Sequence, residues 1–222
     1  MFTSLDSSQQ ELMRRHLQMV MKLNEKMNLT RIADGEEGML LHVEDSLGAL
    51  PEMKEAPEGP YADLGSGAGF PGIPLAIATG RKTLLIDARM KKMNAVQGIV
   101  ESLGLESTIG VYAGRAELYA RKNPNAFCVI TARALAKLSV LLELSAPLLK
   151  RGGRAIFYKS HVEEGEMKDA IRVCDTTGMR LVGDRNFMLG GAYERRIVTF
   201  ESVAPPKMKL PRLEGQAQKN PL

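Results

Sequence analysis

The sequence contains no tryptophan, and aromatic residues make up only 5% of its 222 positions. A protein that lays single-stranded nucleic acid on a platform of stacked rings needs more rings than this. Cysteine is nearly as scarce. Cys128 and Cys174 are the two copies, without the spacing of a metal site or the number a disulfide framework requires. Cys128 lies in the apolar run AFCVI, where a small buried thiol is expected. No apolar stretch approaches the roughly 18 residues that cross a bilayer, and the start MFTSLDSSQQ lacks the basic opening and apolar core of a secretory leader. The expectation is a globular cytoplasmic chain with no membrane partner and no metal.

What is present is a balanced composition, 44% hydrophobic and 25% charged, with a net charge of +4. A chain of this length suits one well-cored domain with an appendage. The positive charge is concentrated at the end: residues 205–222 hold Lys207, Lys209, Arg212 and Lys219 against Glu214 alone. Such a concentration suits a polyanionic partner.

Residues 7–30 predict a helix, because Met13, Leu17, Val20, Asn24 and Met27 recur at spacings of three and four. Ser8 and Glu11 form a capping-box pattern at its start. Met19, Met21 and Met27 read as core filler. A second helix is expected over 34–50, and the proline-rich PEMKEAPEGP that follows reads as a boundary. From Tyr61 onward the rhythm is strand, glycine, helix. YADL, KTLLID, STIGVY, AFCVITA and RAIFYK are short β-rich runs, separated by the helix-compatible PLAIAT, KKMNAVQGIVESL, AELYAR and SVLLELSAPLLK. This alternation predicts an α/β fold with a mostly parallel sheet covered on both faces. After the helical EGEMKDAIRVCDTTG, the runs MRLVGDR and RRIVTFESV lie close enough to pair antiparallel at one edge.

The most informative stretch is DLGSGAGFPGIPLA, residues 63–76. Gly67, Gly69 and Gly72 satisfy G-x-G-x-x-G, and Asp87 ends the next strand, where a ribose-binding acid belongs. The pattern alone admits either a dinucleotide or S-adenosylmethionine. Its surroundings favour the second. Asp63 would place a carboxylate near the ligand, unhelpful to a pyrophosphate and helpful to the ammonium of a methionine moiety. Pro71 and Pro74 delay the helix start, so its positive end is poorly placed to grip phosphates. Gly65, Gly67 and Gly69 are expected at positive φ or at close approach to the ligand.

With the loop placed, NLTRI (28–32), HVEDSL (42–47), DLGSGAGFPGIPLAI (63–77), LLIDARMKK (84–92), GRAE (114–117), ITARALAKL (130–138), ERRIVTF (194–200) and LPRLEGQAQKNPL (210–222) together resemble, in order, the motifs of the bacterial RsmG family, also called glucose-inhibited division protein B. The resemblance implies a Rossmann-like class I methyltransferase that uses S-adenosylmethionine to methylate N7 of one guanine in 16S ribosomal RNA near the decoding site. It implies donor contacts at Gly65, Phe70, Ala116, Glu117 and Arg133, and it agrees with the ribose role already argued for Asp87. The expected organisation is an N-terminal helical cap (1–56), a donor-binding domain (57–204) and a basic tail (205–222), with 16S RNA or the small ribosomal subunit as partner. Where relatives carry a lysine after the last strand this chain has ESVAPPK, and Phe70 replaces a leucine found in some of them.

The residues suit that chemistry. Methylation of an exocyclic amine or hydroxyl requires proton management near the end of the fourth strand, yet that end reads ITARAL, and NPNAF (123–127) precedes the strand. Carbon methylation needs a cysteine nucleophile, and Cys128 sits mid-strand among apolar neighbours. Guanine N7 has a free lone pair and needs only alignment, so no catalytic side chain is assigned. Arg133 can fix either donor or base, and Arg195, Arg196, Lys207, Lys209, Arg212 and Lys219 are candidate phosphate contacts. His42, Asp45 and Ser46 cannot form a triad from one helix. His42 and Asp45 are expected to pack and hydrogen-bond the N-terminal helices to the core. A nicotinamide-dependent oxidoreductase and a noncatalytic RNA-binding or assembly protein are the rival readings.

Overall fold

The computed structural model describes residues 2–27 and 35–222, so NLTRI and the last three positions of the first expected helix lie outside the described residues. Helix α1 (Ser7–Met27) buries Met13, Leu17 and Val20, as the spacing predicts, and His16 beside them. Met19, Met21 and Met27 pack against the same core. The capping box is Asp6 with Gln9, not Ser8 with Glu11: Gln9 N–H donates to Asp6 Oδ1 at 2.8 Å and Asp6 N–H to Gln9 Oε1 at 3.3 Å. The chain is already helical at Ser7, which moves the cap upstream.

The second expected helix is interrupted. It runs as α2 (Gly35–Gly38), a π-helical stretch (Met39–Glu44) and α3 (Asp45–Leu47). The proline-rich boundary in fact begins a helix, α4 (Leu50–Glu55), because Pro51 falls in the first turn, where a missing N–H is harmless.

The sheet follows: β1 (Tyr61–Leu64), α5 (Gly72–Thr79), β2 (Thr83–Asp87), α6 (Met90–Ser102), β3 (Ile109–Ala113), α7 (Ala116–Lys122), β4 (Phe127–Arg133), α8 (Leu138–Ser145), β5 (Leu149–Lys159), α9 (Glu164–Thr177), β6 (Met179–Leu189) and β7 (Tyr193–Ser202), before a short α10 (Gln216–Lys219). The strand order is β3-β2-β1-β4-β5-β7-β6. Strands β1 to β5 are parallel, and β7 inserts antiparallel between β5 and β6. The expected edge pair thus forms, with β6 outermost. The expected helix SVLLELSAPLLK ends early, at Ser145, and its final Leu149 and Lys150 open β5. Pro147 lies just beyond the helix end, where it cannot continue the ladder.

Two cores flank the sheet. On one face Met13, Val20, Leu47 and Met53 join Ile73, Leu75 and Val96 in a single cluster, so the N-terminal helices share the core of the sheet domain. On the other, α8 and α9 pack with β4, β5 and β7, and Ala217 of the tail joins them. The tail is folded back and pinned. Arg212 grips Glu143 through two bonds of 2.6 and 2.5 Å, and Gly215 N–H donates to Glu117 Oε1 at 2.8 Å.

Candidate active site

Chain order reverses direction in the sheet between β1 and β4, which are neighbours. In open α/β sheets the crevice beyond the carboxyl ends of such strands is the ligand-binding position. Here two segments meet there: the glycine loop after β1 and residues 133–136 at the end of β4.

The glycine loop has the expected backbone, with Gly65 at φ +70°, Gly67 at +59° and Gly69 at +92°. Gly72 is required for a different reason. A Cβ there would lie 2.3 Å from Leu85 Cδ2 and 2.8 Å from Asp63 Oδ2, so the start of α5 can press onto the sheet only without a side chain. Asp63 is sealed beneath the loop and does not face a ligand: Oδ2 accepts Gly72 N–H at 3.0 Å and Oδ1 accepts the Thr131 hydroxyl at 2.7 Å. Burial pushes its carboxyl up to about 6 against these hydrogen bonds. The expected contact between Asp63 and an ammonium is therefore corrected to an internal brace, because β1 points that side chain into the interior.

Asp87 closes the other side of the loop. Its Oδ2 accepts Gly67 N–H at 3.1 Å, and Arg89 reaches both carboxylate oxygens. Burial acts to raise its pKa, but the bonds from Arg89 and Gly67 outweigh it and hold the carboxyl below its ordinary value. Between Gly65, Asp87, Ala116 and Glu117 lies a cavity of about 240 Å³, floored by Leu64, Ile86 and Leu144, with Leu135 and Gln218 at its rim. Four expected donor residues are thus brought together. They suit an S-adenosylmethionine nucleoside: apolar walls for a purine and a strand-end carboxylate for ribose hydroxyls, beside Gly65. Leu135 packs against that glycine, where a Cβ would come within 2.7 Å of it.

Phe70 and Arg133 are placed differently. Phe70 is buried and lines no part of this cavity; its ring is stacked between His16 and His42, with centroid distances of 4.3 and 4.5 Å. The expected direct packing of its side chain on the donor is corrected to a support behind the loop. His16 Nε2–H also donates to Ala68 O at 3.0 Å, fastening α1 to the glycine loop. Burial lowers His16 to about 4 and, with the charge of Arg133, His42 to about 3, so both rings are neutral near pH 7.

Arg133 lines a second cavity, of about 470 Å³, with His42, Asp45, Tyr158, His161 and Arg195. Asp45 joins the N-terminal helices to the sheet, as expected. Its Oδ2 accepts Arg133 Nη1 at 2.7 Å and its Oδ1 accepts Arg195 Nε at 2.9 Å. Segment 133–136 is the partition: Arg133, Ala134 and Ala136 face this cavity while Leu135 faces the first. Ala134 holds a φ of +53° there, a conformation uncommon outside glycine and concentrated at functional sites.

The expected phosphate contacts divide. Arg195 pairs with Asp45, Arg196 with Asp184 at 2.6 and 2.7 Å, Lys207 with Asp175, and Arg212 with Glu143. Arg212 is structural, since its guanidinium is spent on a buried carboxylate. Lys209 and Lys219 are exposed and have no ion pair among the described residues. Sequence reasoning missed His16, Leu135 and Gln218. A polar residue on the apolar stripe of α1, between Met13 and Val20, was the one available signal for His16.

A family model described as rRNA small subunit methyltransferase G matches residues 9–188. The chain is 35% identical over 222 residues to the ribosomal RNA small subunit methyltransferase G of Exiguobacterium sp., covering 98% of this chain and 93% of that protein. It is 34% identical over 221 residues to the protein of the same name from Staphylococcus saprophyticus, covering 98% and 92%. Among solved structures, a geranyl diphosphate methyltransferase in complex with GPP and sinefungin superposes with a TM-score of 0.62 at 10% identity, over 89% of this chain and 99% of that one. The apo form of the S-adenosylmethionine-dependent methyltransferase SibL gives 0.59 at 12% identity, over 75% and 56%. At such identities the structural likeness is one of fold. The sequence relatives carry the stronger statement: this chain belongs to the rRNA small subunit methyltransferase G family.

Proposed function

We propose that this protein methylates N7 of a guanine in 16S ribosomal RNA near the decoding site, using S-adenosylmethionine. Family membership supports the reaction class, and one structural observation carries the mechanism: two cavities meet across the single partition 133–136. One has the walls of a nucleoside site. The other is edged by Arg133 and Arg195.

When bound, S-adenosylmethionine supplies a methyl group on a positively charged sulfur. Gly65, Asp87, Ala116 and Glu117 hold it in the smaller cavity, and Phe70 keeps the glycine loop in shape from behind. Guanine N7 carries no proton, so the protein's task is to align two atoms and exclude water, with no general base. His42 suits this role because it stays neutral and rigid against Phe70. Arg133 stands between the two sites and fixes their separation. Lys209 and Lys219 are available to phosphates. With so few aromatic rings, a folded RNA within the small-subunit particle is the substrate, in preference to a free strand. The hydride-transfer and noncatalytic readings gain no support from the family or from the fold neighbours.

The test is transfer of labelled methyl to small subunits and to naked 16S RNA lacking the modification, followed by borohydride and aniline cleavage. One strong stop in the decoding-region loop, on particles above RNA, is expected. Donor binding without transfer to either substrate overturns the assignment.

A further inference from the structure

The 470 Å³ cavity beyond β4 and β5 has a buried carboxylate that the transfer chemistry does not use. We propose that this cavity receives the target guanine flipped out of its RNA, and that Asp45 selects it by accepting hydrogen bonds from N1–H and the 2-amino group. The inference rests on the methyltransferase reading above and adds the origin of base specificity.

Asp45 is only 5% exposed, yet it borders the cavity. Each of its oxygens takes one bond from a guanidinium, Arg133 on one side and Arg195 on the other. An ionised carboxylate has about four acceptor positions, so two bonds leave it able to take a paired donor. The arginines also fix its plane. Arg133 is held from behind, at 3.3 Å from Leu41 O, and Arg195 lies over the Tyr193 ring, 5.5 Å from its centroid.

Guanine matches this arrangement better than the other bases. Its Watson–Crick edge presents two adjacent donors, N1–H and the 2-amino group, beside the O6 acceptor. A carboxylate flanked by guanidiniums presents the complement, two acceptor oxygens beside N–H donors. Adenine would set its N1 lone pair against the carboxylate, and uracil offers one donor in place of two. Geometry favours the same orientation. N7 lies across the bicyclic ring from N1 and the 2-amino group, so holding that edge at Asp45 leaves N7 free to face the partition and the donor cavity beyond it.

The surroundings suit a flipped base. The volume falls within the roughly 300–1,000 Å³ of small-molecule sites. Enzymes that act on a base take it out of the stack, reading its Watson–Crick edge in a pocket. The π-helical stretch Met39–Glu44 supplies Leu41 and His42 to the wall and delivers Asp45 immediately after it, and such distortions are frequent at functional sites. Lys159, also in the wall, is paired with Glu166 at 2.6 Å, which leaves the two arginines as the cations around Asp45.

The test uses small-subunit particles in which the target guanine is replaced by inosine, lacking the 2-amino group, or by 2-aminopurine, lacking O6 and N1–H. The full-length enzyme is assayed at saturating donor. Inosine is expected to lower kcat/KM by about tenfold or more, since a hydrogen bond to a charged acceptor is lost, and 2-aminopurine by a larger factor. In Asp45→Asn, donor affinity measured by calorimetry should stay within about threefold, while the ratio of guanine to inosine falls close to one. Equal rates on guanine and inosine with the unaltered enzyme overturn the pocket and leave the methyltransferase reading standing. No transfer to the guanine substrate overturns both. The substrate series needs no variant, so it decides the matter even where Asp45→Asn does not fold.

Discussion

The two cavities that meet at residues 133–136 are built from opposite electrostatic plans. In the smaller one the carboxylates are buried and their cations lie outside: Asp87 pairs with an Arg89 whose side chain is 61% exposed, and Glu117 with Arg115 at 37%. In the larger one the cations are themselves enclosed, Arg133 at 16% and Arg195 at 19%, and share one carboxylate. The difference matches the proposed ligands. Ribose hydroxyls need an acceptor at a strand end, whereas an RNA base and its phosphates would meet an excess of fixed positive charge.

The largest expected effect removes support from the donor side alone. Arg212→Met leaves Glu143 buried and unpaired, which should cost about 3 kcal/mol in urea denaturation and loosen the tail that brings Gln218 to the donor cavity. An unchanged midpoint would return Arg212 to the list of phosphate contacts. Asp87→Asn should then separate the two sites: donor Kd rises by some tens of fold, about 2 kcal/mol, with RNA affinity within twofold. A matching loss of RNA affinity would show that the sites are not independent.

The His16–Phe70–His42 stack supports both cavities, and acid should undermine it. Unfolded imidazoles take protons at about 6.5, but the folded ones wait until about 4 and about 3. Asp63 does the reverse, protonating at about 6 when folded and 3.8 when unfolded. Between pH 6 and 4 the unfolded chain therefore holds close to two imidazole protons that the folded chain lacks, and the folded chain holds about one carboxyl proton that the unfolded chain lacks. The balance of one favours unfolding, so stability should fall by about 1 kcal/mol per pH unit as pH drops. His16→Gln should flatten that slope, as followed by denaturation at several pH values. The smallest effect is expected at Lys209→Ala: stability within about 0.5 kcal/mol, and a salt dependence of RNA binding reduced by about one charge.

Much of this was legible because it is local. Strand and helix alternate with the right periods from Tyr61 onward, and the glycine loop announces its own backbone, since positive φ values at Gly65, Gly67 and Gly69 are a property of those residues. The place of Asp87 at the end of a strand was legible in the same way. The side chains that the structure orients differently share one cause. The orientation of Asp63, Phe70 and Arg212 is decided in each case by a partner far along the chain: Thr131, two histidines of the N-terminal helices, and Glu143. A motif states which residue is present and leaves open which way it points.

The sequence by itself determined the fold class, the backbone of the glycine loop and the family, because hydrophobic period, glycine conformation and motif order are carried by neighbouring residues. Only the tertiary structure decided that residues 133–136 divide two cavities, that a buried Asp45 ties Arg133 to Arg195, and that Gln218 of the basic tail lines the smaller cavity. Those features arise when the sheet brings together residues separated by 69 to 150 positions, and pairings at that range are chosen by packing and charge together, which no local pattern records.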